Sequence, residues 1–117
     1  MLTLATGFQP SKEDLKAFAV MPVSVGTDPN LALKTRKGTG YYKIPSLKGL
    51  WYRGLYLHDG ALASLEDLFD PARLQPTYLS TGFRSYKVQR AAVPGHEFGL
   101  KLKPEERANL VAFLRTL

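Results

Sequence analysis

The sequence predicts a mostly α-helical fold of short helices joined by long ordered loops, and three observations carry that expectation. Pro104-Glu105-Glu106 opens a stretch whose Leu110, Val111, Phe113, Leu114 and Leu117 recur at helical spacing. Ser11 and Ser64 each precede a short apolar-periodic run, with an aspartate three residues on in capping-box spacing. Between these segments, many of the 10 glycines and 8 prolines break the chain into loops.

Met1 to Pro10 carries no basic n-region, and its apolar run is short and broken by Thr and Gly, so it does not read as a leader peptide. No stretch approaches the ~18–20 consecutive apolar residues of a membrane span. The chain as given is expected to be soluble and to carry no export signal. Ser11 to Val20 predicts a helix with Leu15, Phe18 and Ala19 on its apolar face, stopped by Pro22. Met21 to Val25 reads as a short strand or extended segment, and Thr27-Asp28-Pro29-Asn30 as a turn or helix start.

Lys34 to Gly54 stands apart. It holds Lys34, Arg36, Lys37, Lys43, Lys48 and Arg53 with no acidic residue, together with Tyr41, Tyr42, Trp51 and Tyr52. Four glycines interrupt any helix and Pro45 pushes Ile44 towards extended geometry. The prediction is ordered loop with a helical turn near Leu47 to Leu50. Ser64 to Phe69 predicts a second short helix with Leu65, Leu68 and Phe69 inward. Asp70 to Leu74 predicts a further helical turn with Pro71 at its first position. Gln75 to Gly95 reads as irregular surface loop. The closing helix has Glu105 and Glu106 where the dipole favours acids and Arg115 where it favours a cation.

At 117 residues the chain is one small domain or a piece of one. A net charge of +6 favours acidic partners, whether nucleic acid, anionic lipid or acidic protein. The absence of cysteine excludes a disulfide framework and a thiolate metal site. No Gly-x-Ser-x-Gly elbow or phosphate-cradling glycine loop occurs, and Gly38-Thr39-Gly40 lacks a third glycine. The carboxylates are scattered rather than paired, which gives no support to glycosidase-type chemistry. No helix-turn-helix or zinc-finger pattern presents the positive charge to nucleic acid.

Two histidines remain as chemistry-bearing groups, His58 in Tyr56-Leu57-His58-Asp59-Gly60 and His96 in Gly95-His96-Glu97-Phe98-Gly99. An imidazole on a loop either bonds backbone in a tight turn or reaches a metal, with the following carboxylate orienting it. Two histidines fall short of the three or four ligands of a zinc site. Tyr41, Tyr42, Trp51, Tyr52 and Tyr56 read as core, as a wall against a flat ligand, or as a stacking platform for bases. The basic stretch reads as a solvated face or as an anion-binding one.

Taken together, residues 26 to 117 resemble a known family. The runs Gly26-Thr27-Asp28-Pro29 and Thr35 to Trp51, then Tyr56-Leu57-His58-Asp59-Gly60 followed by Ser64-Leu65-Glu66-Asp67, then Gly95-His96-Glu97-Phe98-Gly99 and the Pro-Glu-Glu helix closing on Phe113-Leu114-Arg115-Thr116-Leu117, carry the likeness. They resemble the late part of bacterial c-type cytochromes of the di-haem cytochrome c peroxidase-like family. Residues 1 to 25 form an extension outside it. The resemblance implies a cytochrome-c-like single domain, periplasmic location, and electron transfer or peroxidase-type oxidoreduction at a haem c. That family attaches haem through Cys-x-x-Cys-His, which this chain lacks, so attachment is expected in an upstream portion or partner protein.

By the same resemblance, this chain supplies the distal side of the haem site. His96 and His58 are alternative axial iron ligands, His96 preferred for its glycine flanks, with Met21 a lesser candidate. No Met lies between Leu68 and Tyr78, where relatives often place one. Trp51 and Tyr56 are candidates for the haem wall or an electron relay, and Lys48 and Arg53 for contacts to the cofactor's carboxylates. The competing expectations are a basic, non-enzymatic binding module and a non-functional fragment.

Overall fold

The computed structural model describes residues 2–24, 26, 30–34 and 39–117. The turn expected at Thr27-Asp28-Pro29 and the Thr35-Arg36-Lys37-Gly38 part of the basic stretch lie outside the described residues. The chain divides into two compact units, Met1–Ser46 and Leu47–Leu117.

The first unit is built on a sheet. Strand β1 (Leu2–Leu4) lies in the middle, between β2 (Val20–Ser24) and β3 (Tyr41–Lys43). β1 runs parallel to β2, with Leu2 opposite Val20, and antiparallel to β3, with Leu2 opposite Lys43 and Leu4 opposite Tyr41. Helix α1 (Lys12–Ala17) forms the crossover that a parallel pair requires. Helix α2 (Asn30–Lys34) precedes β3. Thr3, Leu4 and Ala5 are buried, as befits a central strand. Ser11 caps α1 by accepting the Asp14 N–H at 3.1 Å, the bond its spacing predicts. The apolar face assigned to this helix is not buried, however: Leu15 and Phe18 are each about half exposed.

The expectation of a mostly α, cytochrome-c-like fold is therefore corrected. A three-stranded mixed sheet organises the first unit, and of the described helices only the last exceeds six residues. The reason is the length and non-locality of the strands. Three residues are too few to display a period of two, and Leu2 to Leu4 finds its partners beyond a helix and in the basic stretch. Tyr41 and Tyr42 have the aromatic character strands favour, but the surrounding glycines and lysines mask it.

The second unit follows local signals closely. It runs from a 3-10 turn (Leu50–Tyr52) to helix α3 (Leu65–Leu68), a second 3-10 turn (Pro71–Leu74) and helix α4 (Pro104–Leu114). Ser64 accepts the Asp67 N–H at 3.1 Å and donates its hydroxyl to that carboxylate at 2.7 Å. Asp70 caps the Pro71 turn through the Ala72 N–H at 2.9 Å. At the start of α4, Glu106 accepts the Lys103 N–H at 2.8 Å. The core joins Leu50, Leu62, Leu65, Phe69, Val111 and Leu114, with Leu110 and Leu117 packed against it. Phe113, assigned to the same apolar face of α4, points largely to solvent.

Candidate functional site

The Tyr56–Leu62 segment reverses direction within one antiparallel bridge. The Tyr56 N–H donates to the Leu62 carbonyl at 2.7 Å, and the Leu62 N–H to the Tyr56 carbonyl at 3.5 Å. Leu55 (φ 58°), Leu57 (φ 69°) and Gly60 (φ 68°) take left-handed backbone, which is costly for the two leucines and holds only because neighbours enforce it. Those neighbours are visible. Gly60 O accepts the Phe83 N–H at 2.7 Å, and Ala61 O accepts both the Gly82 N–H at 2.9 Å and the Ser80 hydroxyl. One carboxylate oxygen of Asp59 closes the turn by accepting the Ala61 N–H at 3.1 Å. Asp59 thus acts on the backbone, where the sequence suggested that it orients His58.

His58 sits exposed on this braced turn. Two residues on, a Cβ at Gly60 would lie 3.4 Å from Leu55 Cβ and 3.8 Å from Phe83 Cβ. Both of those side chains are mostly exposed, at 55% and 60%. The turn therefore carries an exposed imidazole, and the exposed Leu55 and Phe83 side chains lie against its Gly60.

His96 has a different setting. Arg73 is wholly buried, and its guanidinium gathers the loop around it. Nε donates to Leu68 O at 2.9 Å, Nη1 to Val93 O, and Nη2 to Gly95 O at 2.9 Å and His96 O at 2.8 Å. Burial pushes its pKa down from the usual arginine value while the Glu97 carboxylate opposes the shift; the group stays charged. To bring both carbonyls onto one guanidinium, Gly95 (φ 88°) and His96 (φ 49°) adopt left-handed backbone. The His96 ring is half-buried, edge-on to Phe98 at 5.6 Å, and its Nδ1 is buried without a hydrogen-bond partner. Burial lowers its pKa below the ordinary histidine value, and the nearby Arg73 cation adds to the shift.

The other residues singled out in the sequence distribute unevenly. Trp51 is 67% exposed, edge-to-face with Tyr52 at 5.0 Å. Tyr56 is half-buried and donates its hydroxyl to Arg53 O at 2.9 Å, a bond that fixes the backbone leading into the turn. Lys48 and Arg53 are exposed. Tyr41 and Tyr42 belong to the sheet of the first unit, and Trp51, Tyr52 and Tyr56 to the second. Met21 lies in β2 of that unit. Among the described residues no group of three or more His, Cys, Asp or Glu side chains forms a metal-holding cluster. Sequence reasoning missed Arg73 and the Ser80–Phe83 strap, because ordinary loop residues acquire these roles only through partners far along the chain.

No family model and no solved structure matches the chain. Among curated proteins it is similar to the methylamine utilization protein MauG of Methylorubrum extorquens, 36% identical over 76 residues, covering 65% of this chain and 18% of that protein. It is also similar to the uncharacterized protein y4iJ of Sinorhizobium fredii, 30% identical over an alignment of 105 residues, with 65% of this chain and 18% of that protein covered. The chain spans less than a fifth of either relative.

A c-type haem is the cofactor that the family resemblance implies, and the residues fit it only on one side. The chain has no cysteine to attach a macrocycle. The residue that would hold the iron is His58, an exposed imidazole on a turn fixed by hydrogen bonds.

Proposed function

We propose that this chain forms one side of a haem site in a peroxidase-like redox protein, the haem c being attached to another portion or partner. The observation that carries the reading is the exposed His58 on its braced turn, whose Gly60 lies against the exposed Leu55 and Phe83. An imidazole nitrogen is the ligand iron takes from histidine. The exposed apolar side chains of the turn would exclude water from a flat ring face. Lys48 and Arg53 provide positive charge for carboxylates at the ring edge, and Trp51 provides exposed aromatic surface within the same unit.

Haem held there would supply one-electron chemistry at its iron. This chain's contribution is to position the ligand. The left-handed leucines and the Gly60–Phe83 and Ala61–Gly82 hydrogen bonds fix the turn before any cofactor arrives, which lowers the ordering cost of binding. His58 takes precedence over His96 here. The glycine flanks of His96 serve to wrap carbonyls around Arg73, and that ring is half-buried against Phe98.

Titration of the purified chain with ferric haem, followed by the Soret band, tests this reading. The native chain and His96→Ala are expected to shift the band towards low-spin ligation, and His58→Ala is not. No shift with the native chain refutes haem binding by this chain alone. A shift lost only in His96→Ala refutes the choice of ligand.

A further inference from the structure

The loop from Arg84 to Arg90 has no part in the turn around His58 or in the core. Between Pro71 and His96 the sequence has no acidic residue, and outside the buried Arg73 its cations are Arg84, Lys87 and Arg90. All three are exposed. Tyr86 is 90% exposed, an unusual position for a large aromatic side chain, and Val88 at 47% stands beside it.

The loop is nevertheless well defined. The Val88 N–H donates to Ser85 O at 3.0 Å, closing a turn with Tyr86 and Lys87 at its tip. Lys87 takes left-handed backbone (φ 69°), and its ammonium lies over the Tyr86 ring, 5.6 Å from the centroid. At the base, the Ala91 N–H donates to Tyr78 O at 3.0 Å and Arg90 Nη1 to Thr77 O at 2.9 Å. An anchored base and a closed tip hold an aromatic and an aliphatic side chain outward, ringed by positive charge.

We propose that the Arg84–Arg90 loop docks the protein onto an anionic lipid surface. The charge fits anionic headgroups, and tyrosine with a neighbouring aliphatic residue suits the boundary between headgroups and acyl chains. A lipid interface accepts protruding side chains without a complementary pocket. Stacking of nucleic-acid bases is less well served, because Tyr86 is the single aromatic residue between Arg84 and Arg90 and offers no platform for successive bases. The proposal is independent of the haem reading.

Co-sedimentation of the full chain with vesicles tests it, using equimolar phosphatidylglycerol and phosphatidylcholine against phosphatidylcholine alone. Soluble poly-glutamate and single-stranded oligothymidine serve as competitors. The expected result is binding to the anionic vesicles only. Arg84→Gln combined with Lys87→Asn is expected to weaken partitioning roughly 25-fold, about fivefold for each cation near the surface. Tyr86→Ala is expected to weaken it about fivefold, equivalent to roughly 40 Å² of apolar surface leaving water. Arg90 is left in place because it anchors the loop base, and circular dichroism confirms that the variants fold. Absence of vesicle binding overturns the proposal, as does native binding by the charge variant or by Tyr86→Ala. Equal binding to poly-glutamate or oligothymidine overturns it in favour of an acidic protein or nucleic-acid partner.

Discussion

Arg73→Met removes a guanidinium that is fully buried and donates to the carbonyls of Leu68, Val93, Gly95 and His96. Methionine replaces the apolar stem, ends short of the guanidinium nitrogens, and leaves four main-chain acceptors without their donor. Each buried group left unsatisfied costs about 1–3 kcal/mol, partly offset because no charge has to be desolvated. The balance is a loss of about 4 kcal/mol, a large share of the ~5–15 kcal/mol that holds a small domain together. Arg73→Lys retains the charge but has a compact head that cannot span the four carbonyls, for a loss of about 2 kcal/mol. Urea denaturation followed by circular dichroism measures both. Amide exchange in Val93 to Phe98 should accelerate in the methionine variant, because this segment loses its anchor. A loss under about 1 kcal/mol with unchanged exchange would refute the idea that Arg73 organises the loop.

Gly82→Ala should destabilise the second unit by about 1–3 kcal/mol, since a Cβ there would lie 2.1 Å from the Gly60 carbonyl oxygen; a melting temperature within error of the native value would contradict this. The lowered pKa of His96 means that the unfolded chain binds more protons than the folded one as pH falls through the usual histidine range. This contribution to stability is therefore complete above the unfolded histidine pKa and is lost as pH falls towards the folded one. Unfolding free energy of the cofactor-free chain should drop over that window, and less in His96→Gln. In the first unit, desolvation and the Asp14 carboxylate, which accepts the Tyr41 hydroxyl at 2.7 Å, push the Tyr41 pKa up to about 12. Asp14→Asn should bring the phenolate absorbance transition to lower pH.

Features set within a few residues were legible in the sequence. The Ser11 and Ser64 caps, the Asp70-Pro71 turn and the Pro104 start of α4 all form where the residue types require, because each bond closes over two or three positions. Features closed by distant partners were not. β1 pairs with residues across a helix and beyond, and Arg73 meets the carbonyls of Val93, Gly95 and His96, 20, 22 and 23 positions away. The two histidines illustrate the same divide. Their turn setting is readable from the flanking glycines, but exposure depends on what packs behind each turn. Arg73 draws the His96 segment inward, whereas the Ser80–Phe83 strap braces the His58 turn from behind and leaves its imidazole in solvent.

The most direct test of the haem reading is chemical rescue of the ligand. His58→Gly should fail to give the low-spin Soret band with ferric haem, and added free imidazole should restore it by entering the space the side chain leaves. His96→Gly should behave as the native chain without imidazole. A His58→Gly variant that binds haem as the native chain does, or an imidazole dependence that appears only in His96→Gly, would contradict the assignment of His58 as the iron ligand.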